Sequence, residues 1–336
     1  MLVAPDSFKG TLRAPEVAAA VGRGLESAGL MPPDLCPVAD GGEGTMEVLV
    51  TALGGETGGA RVHDPLGREV AAGFALIEDG SAAVVECAAA SGLGLVAEEE
   101  RDAWAASTYG TGELIAAAAS TGAAVVLVAA GGSATTDGGA GALEAIRDAG
   151  GLGGARLVVL CDVRIPWERS PAVFAPQKGA DAATVARLER RLDEYATTLR
   201  RDPRSVPGTG AAGGLAGGLW AEHGAVLEPG ARWILDALGF DARMRASRCV
   251  VTGEGRLDGQ SLLGKAVGEI GTRTRQAGVP LHAIVGQDRM DAFSKRMIDM
   301  QPVREAGTIA ELQRAGEDLG TELQAPEARD PRAEAG

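Results

Sequence analysis

Lysine is nearly absent from this chain: Lys9, Lys178, Lys265 and Lys295 stand against 28 arginines. Histidine is as scarce, and His63, His223 and His282 show no ligand spacing, which argues against a histidine-built metal site or a serine triad. The cysteines Cys36, Cys87, Cys161 and Cys249 lie tens of residues apart in or beside apolar runs, without C-x-x-C or C-x-x-x-H spacing. They read as small buried hydrophobes in a reducing compartment. Positive charge is short overall: the net charge is −14 and no block of Lys or Arg offsets it, so neither nucleic acid nor an anionic membrane is an expected partner. Long hydrophobic runs are missing too. The stretch from Ile115 to Ala130 is mostly alanine, is broken by Ser120, Thr121 and Gly122, and reads as helix, turn and buried strand. The opening "MLVAPDSF" has no basic segment followed by an apolar stretch, so a soluble, cytoplasmic protein is expected.

What is present points to an α/β protein of two domains. The chain has 336 residues, of which 45% are apolar, and single cores rarely grow beyond ~250–300 residues. Its 50 glycines and 16 prolines cluster at the ends of apolar runs, as in tight loops. A strand "MLVAP", a helix from Pro15 to Gly29, a strand "DLCPV" and a helix "MEVLVTALGG" make a βαβα opening. The polar clusters Asp6–Lys9 and Asp40–Glu43 fall where its strands hand over to helices, the edge at which open parallel sheets bind ligands. From about residue 60 to 90, "EVAAGFALIE" and "SAAVVECAAA" flank the turn "DGS" and suggest a mixed sheet. The alternation then resumes, and an amphipathic helix is expected from about Ala182 to Arg200, with Val185, Leu188, Leu192, Tyr195 and Leu199 on one face. The end of the chain lacks apolar periodicity and reads as disordered.

Three of the four lysines have glycine next door: Lys9 in "SFKG", Lys178 in "PQKGA" and Lys265 in "LGKA". Lysine is a compact point charge, which makes these three the candidate phosphate contacts, whereas Lys295 in "FSKRM" reads as solvated. Gly259 and Gly264-Lys265 have Walker A spacing, but Ala266 stands where a hydroxyl would hold Mg²⁺, so a true P-loop is not expected. "GTGAAGG", from Gly208, satisfies G-x-G-x-x-G; it follows "RRDPRSVP" instead of a buried strand, so it is no dinucleotide fingerprint and reads either as a ligand-facing helix start or as close packing. "AAGGSATTDGG", residues 129–139, gathers free backbone N–H groups, hydroxyls and a carboxylate at one point. Such a stretch is a phosphate loop or a glycine-rich turn with Asp137 as helix cap. Seven acids at strand ends or in glycine loops, Asp6, Asp40, Glu43, Asp137, Asp162, Glu254 and Asp258, together with three lysines, suggest one site for a hard metal and a phosphate.

In order along the chain, "APDSFKGTL" (4–12), "PVADGGEGT" (37–45), "AAASGL" (88–93), "STYGTGELI" (107–115), "GGSATTDGGAG" (131–141), "CDV" (161–163), "PQKGA" (176–180), "GAAGGL" (210–215) and "VTGEGRLDGQSLLGK" (251–265) resemble the bacterial type-1 glycerate kinases. The resemblance makes the Walker-like stretch a family signature. It implies phosphorylation of D-glycerate by ATP with Mg²⁺, usually to 2-phosphoglycerate. It also implies a flavodoxin/Rossmann-like domain with a parallel sheet (1–62 with 247–323), an inserted mixed α/β domain (63–246), a tail (324–336) and an active site in the cleft between the domains. Asp6, Lys9, Asp40 and Glu43 would form one wall, with Ser133, Thr135 and Asp137 opposite, and Glu254, Asp258 and Lys265 completing the site. From chemistry, Asp6, Lys9, Asp258 and Lys265 are the candidate catalytic residues, Asp6 or Asp258 taking the hydroxyl proton. Asp40, Glu43, Gly131, Gly132, Ser133, Thr135, Gly138, Gly139, Lys178 and Glu254 are the candidates for binding substrate and phosphate, and Asp137 and Asp162 for holding Mg²⁺.

Three departures from the family pattern bear on substrate and rate: a segment at 150–156 that is shortened, Arg164-Ile165-Pro166 where Asp-Asn-Pro is usual after "CDV", and Thr136 where Asn is usual. A kinase for another small hydroxy acid and a catalytically inactive homologue are the alternatives. A noncatalytic sugar-acid-binding module would explain the glycines but not the lysines and acids. The sequence leaves a homodimer open.

Overall fold

The computed structural model describes residues 1–262 and 264–325, so the expected tail lies outside the described residues from 326 onward. The strands are β1 (Leu2–Pro5), β2 (Asp34–Leu35), β3 (Glu56–His63), β4 (Glu69–Ile77), β5 (Ala82–Glu86), β6 (Val125–Ala129), β7 (Arg156–Leu160), β8 (Val226–Glu228), β9 (Val250–Gly253), β10 (Arg256–Leu257), β11 (Leu281–Val285), β12 (Gln287–Asp288) and β13 (Arg304–Glu305). The described residues divide into two compact units, 1–37 with 241–259 and the residues from 270 on, and 38–240 with 260–269.

In the first unit the sheet order is β13-β11-β9-β1-β2, with every pair parallel. β1, β9 and β11 are apolar apart from Thr252 and His282 and are buried at every residue, the pattern of parallel strands covered on both faces. The helices Ala14–Ser27 and Ile309–Gln324 share a core with Val3, Val251 and Ile284 through Val17, Val21, Leu25, Leu312 and Leu319. The second helix starts from a capping box in which Thr308 and Glu311 satisfy each other's backbone N–H groups. The two helices touch through glycine: a Cβ on Gly24 would sit 2.0 Å from the Gln313 carbonyl oxygen. Strand order reverses between β1 and β9, because β2 lies on one side of β1 while β9, β11 and β13 lie on the other.

The second unit is built on a sheet of order β3-β4-β5-β6-β7-β8. β3–β4 and β4–β5 are antiparallel, and β5 through β8 are parallel. This is the mixed sheet expected from the change of texture after residue 60. One face is covered by the helices Tyr109–Ser120, Ala140–Asp148 and Leu215–His223, with Leu114, Ile115, Ile146, Leu215 and Leu219 packed on Val85, Val126, Val128 and Val159. The other face takes Leu49 and Met46 of the helix Thr45–Leu53 against Ile77, Val84 and Leu127. The amphipathic helix runs from Ala182 to Ala196, capped by Asp181, and ends four residues before the expected limit. Its Leu192 carbonyl accepts the indole N–H of the fully buried Trp167 at 2.9 Å.

The domain limits differ from the expected ones. Residues 38–62 belong to the second unit, because the helix Thr45–Leu53 lies on its sheet and β3 pairs with β4 along its whole length, from Glu56↔Leu76 to His63↔Glu69. The return to the first unit comes at Asp241, and residues 260–269 cluster with the second. Among the described residues no helix is long and apolar enough to cross a membrane.

Gly24→Ala drives a methyl group against the Gln313 carbonyl, so urea denaturation should show a loss of about 1–3 kcal/mol even after the gain in helix propensity. Gly94→Ala, with nothing within 4 Å of its added Cβ, should stay within about 0.5 kcal/mol of the wild type.

Candidate active site

In the second unit β5 to β8 bring their carboxyl ends to one edge, where a polar residue or a glycine lies at each strand end or within two residues of it. Gly131, Gly132 and Ser133 follow β6, Asp162 follows β7, and Gly230 follows β8. The loop Asp40–Gly44 packs directly on that edge. A Cβ on Gly131 would lie 2.5 Å from the Gly42 Cα, so only glycine lets the two loops meet. Asp40 is buried and accepts the Gly42 N–H at 3.1 Å. Asp162 accepts from the Ala231 N–H at 3.0 Å, in the first turn of the helix Gly230–Ala237. The turn at Gly264, next to Lys265, reaches the same place, since a Cβ there would be 2.7 Å from the Asp162 carbonyl oxygen. The structure thus brings together Asp40, Glu43, Gly131, Gly132, Asp162 and the Gly264-Lys265 turn. Asp40 and Glu43 lie with the Gly131–Ser133 loop in this unit, while Asp6 and Lys9 belong to the first unit.

A fixed lattice of hydrogen bonds supports the loop after β6. The Asp137 carboxylate accepts from Thr108 N and Thr108 Oγ1, both at 2.8 Å, from Gly139 N at 3.0 Å and from Gly141 N at 3.2 Å. Oδ2 takes three of these bonds and Oδ1 one, so Oδ1 keeps an open lone-pair site. These bonds support the helix-cap alternative for Asp137, and a place at Mg²⁺ through Oδ1 stays a proposal. Its carboxylate fastens the starts of the helices Tyr109–Ser120 and Ala140–Asp148, which extends the cap alternative. Lys178, expected at a phosphate, is only 2% exposed; its ammonium donates to Ser133 Oγ at 2.9 Å and to the Thr135 carbonyl at 2.6 Å. Burial pushes its pKa down to about 8, against the opposing pull of Cys87 and Asp137. Arg191 holds the Thr136 carbonyl at 2.7 Å and the Trp104 carbonyl at 2.8 Å. The Gly208 cluster proves to be packing: Gly138 N donates to the Gly213 carbonyl at 3.0 Å beneath the same loop.

Glu86, the last residue of β5, went unnoticed in the sequence because it sits inside the apolar run "VVECAAA". It is buried, accepts the Met46 N–H at 2.8 Å, and lies beside Ala129 in the sheet register. Burial raises its pKa above the usual carboxylate value; hydrogen bonds from Met46 and Gly44 oppose this, and Glu43 and Glu47 add to it. The only available signal was an acid at the end of a strand-like run.

In the first unit Asp6 follows β1 and Glu254 follows β9, at the reversal of strand order where open sheets place their ligands. Both are buried, and Asp6 N donates to the Gly253 carbonyl at 2.8 Å. Gly255 lies against the Phe8–Lys9 backbone, its added Cβ 3.1 Å from the Phe8 Cα. Asp258 pairs with Arg256 at 3.3 Å. Lys295, expected in solvent, is half-buried and bonds to Asp288, which follows from the turn that folds the helix Ala292–Met297 back toward β12.

Among the described residues no three acids, histidines or cysteines are grouped so as to hold a metal ion. Mg²⁺ does not require such a cage, because it is commonly held by one or two carboxylates together with substrate phosphates and water. Backbone N–H groups, hydroxyls and a lysine at the carboxyl edge of a parallel sheet suit phosphate, and carboxylates beside them suit a hard cation, which defines an α/β phosphotransferase. The chain belongs to the glycerate kinase family, whose sequence profile matches residues 1–150 and 147–318. It is 38% identical over 324 residues to the glycerate kinase of Halalkalibacterium halodurans, an alignment spanning 85% of each chain. It is 36% identical over 325 residues to the glycerate 2-kinase of Escherichia coli K12, spanning 85% of this chain and 84% of that one. The crystal structure of the Salmonella typhimurium LT2 protein assigned as glycerate kinase 2 superposes with a TM-score of 0.79 at 31% identity, covering 96% of this chain and 98% of the other.

Asp137→Ala removes one acceptor from four donors. Chemical denaturation should register a loss of about 1.5–3 kcal/mol, with Asp137→Asn costing less because its amide keeps one accepting oxygen.

Proposed function

We propose that this protein transfers the γ-phosphoryl group of ATP to the 2-hydroxyl of D-glycerate, giving 2-phosphoglycerate and ADP in the cytoplasm. The observation that carries the reading is the convergence of the Gly131–Ser133 loop, the Asp40–Gly44 loop, Asp162 and the Gly264-Lys265 turn on one sheet edge. The choice of hydroxyl follows the Escherichia coli relative, a glycerate 2-kinase.

The glycerate oxygen forms a bond to the γ-phosphorus as the bond from that phosphorus to the β–γ bridging oxygen breaks, and the hydroxyl proton passes to a carboxylate. The protein's share of such a transfer is alignment and neutralisation of charge. The N–H groups of Gly131 and Gly132 cradle phosphate oxygens, and Lys265 offers them a point charge. Lys9, exposed beside Gly10, takes the second cationic role, on a phosphate or on the substrate carboxylate. Asp6, which accepts from Ser7 N at 2.6 Å, or Asp258, which pairs with Arg256, takes the hydroxyl proton. Glu254, buried at the end of β9, serves the glycerate side. Asp162, with Asp40 and Glu43 on the neighbouring loop, presents the hard oxygen donors that would hold Mg²⁺ on the nucleotide. Bound there, Mg²⁺ supplies charge neutralisation for the phosphoryl oxygens.

Purified protein with ATP, Mg²⁺ and D-glycerate should release ADP and give 2-phosphoglycerate by phosphorus NMR. Lys265→Ala should lower kcat by about 10²–10³-fold with its far-ultraviolet spectrum unchanged. Turnover with another hydroxy acid but not with glycerate would reject the substrate, and nucleotide binding without turnover on any acid would reject the kinase.

A further inference from the structure

We propose that Lys178 is a positioning residue that makes the Ser133 hydroxyl an obligatory hydrogen-bond donor to an oxyanion bound at the loop after β6. The inference rests on the phosphoryl-transfer reading for the identity of that oxyanion, either a nucleotide phosphate or the carboxylate of the acceptor.

The argument begins with direction. An ammonium has three N–H donors and no acceptor. Lys178 Nζ lies 2.9 Å from Ser133 Oγ and 2.6 Å from the Thr135 carbonyl oxygen, so the serine oxygen must accept. The serine proton then has to point elsewhere, yet Ser133 Oγ donates to no acceptor among the described residues. Ser133 is 6% exposed, so bulk water is not a ready substitute. A buried hydroxyl whose oxygen is held by a cation, and whose proton is left for an outside partner, is a stronger donor than a free serine. It follows Gly131 and Gly132 directly, so its proton joins their N–H groups at the end of β6.

The same geometry explains an otherwise costly feature. Lys178 is fully enclosed and forms no ion pair within 4 Å of a carboxylate among the described residues, an expensive state for a charge. The charged and titratable groups around it compensate only in part, since Asp137 favours the ammonium without touching it and burial outweighs that pull. Asp137 is committed to four donors, the Cys87 thiol is pushed up to about 12 by burial and stays neutral, and Arg191 lies on the Thr136 carbonyl. Arg101 contributes backbone against Gly179 and no counter-charge. An anion on the far side of Ser133 is the compensation this arrangement lacks.

The sign with pH follows. Below a pKa of about 8 the ammonium holds Ser133 as a donor to the ligand. Above it the neutral amine has a lone pair that can take the serine proton, and the donor is lost. Affinity for the oxyanion is therefore present at lower pH and lost as pH rises through that value.

The test is calorimetry on the full chain with three separate probes: a non-hydrolysable ATP analogue with Mg²⁺, D-glycerate, and pyrophosphate. It uses wild type, Ser133→Ala, Lys178→Met and the double variant. Ser133→Ala should weaken one of the probes by about ten- to a hundredfold. Lys178→Met should weaken the same probe, and the double variant should be no worse than about twofold below the weaker single variant. The probe affected tells nucleotide phosphate from acceptor carboxylate. Between about pH 7 and about pH 9.5, wild-type affinity for it should fall several-fold more than that of Ser133→Ala, a comparison that cancels the ionisation of the probe itself and does not depend on Lys178→Met folding. Multiplicative losses in the double variant, an unchanged affinity in Ser133→Ala, or equal pH dependence in wild type and Ser133→Ala would each overturn the proposal. So would a wild type that binds none of the three. Binding of pyrophosphate with the full pattern, but of neither ATP analogue nor glycerate, would uphold the role of Lys178 while removing the kinase reading.

Discussion

The Asp137 carboxylate accepts from Thr108, Gly139 and Gly141 at once, and that anchor fixes the helix Tyr109–Ser120, the helix Ala140–Asp148 and the loop before the latter against one another. Thr108 continues the chain of bonds, its Oγ1 accepting from Ala142 N at 3.0 Å while donating to Asp137. Each polar group passes its partner to the next, so the loop is ordered without a long apolar side chain on its ligand face. On the proposed phosphate-binding reading this construction suits the loop: an apolar anchor would occupy the space the ligand needs, and an unanchored glycine run would lose much of its binding energy to ordering.

A chain with a net charge of −14 must handle anions against its own field. Backbone N–H groups solve part of that problem because they offer partial positive charge that surface acids cannot neutralise by pairing. The close approach of Gly131 to Gly42 brings two such backbones together at the carboxyl edge of β6 and β7. The acids on the same edge, Asp40, Glu43 and Asp162, would repel phosphate if they acted alone. On the proposed reading a divalent cation would lie beside them and turn their charge from a cost into a holding force.

The alternation of strand and helix was legible because parallel strands covered on both faces read as continuous apolar runs, and because each run ends in glycine and acid. Residues 38–62 were assigned to the wrong unit because periodicity tells strand from helix but not which sheet the strand joins; the pairing of Glu56 with Leu76 is a contact between distant residues. The lysines show the same limit within the site. Lys9, Lys178 and Lys265 share a neighbouring glycine and look equivalent in sequence, yet the buried Lys178 bonds to Ser133, 45 residues earlier in the chain. Asp137 reads in sequence as a metal ligand with a helix cap as the alternative, and the sequence does not show that Thr108, 29 residues upstream, bonds one of its oxygens. Glu86 was hidden for the opposite reason: the residues on both sides of it are those of a strand interior, and only the end of β5 makes it a site-edge acid.

The scarcity of lysine acquires a physical reading from its position beneath the loop. Elsewhere this chain uses arginine for exposed pairs and for holding carbonyls, as Arg191 does at Thr136 and Trp104. A guanidinium at position 178 would bring five N–H donors in a rigid plane into a space that is 2% exposed and offers the Ser133 hydroxyl and the Thr135 carbonyl as acceptors. Most of those donors would be buried without partners. An ammonium brings three, can rotate to meet both acceptors, and concentrates its charge on the atom nearest Ser133. That choice also gives up permanence: arginine would keep its charge at any accessible pH, whereas this lysine, with burial holding its pKa near 8, loses its charge a little above neutrality. The residue type that fits the space is therefore also the one whose charge depends on what binds beside it.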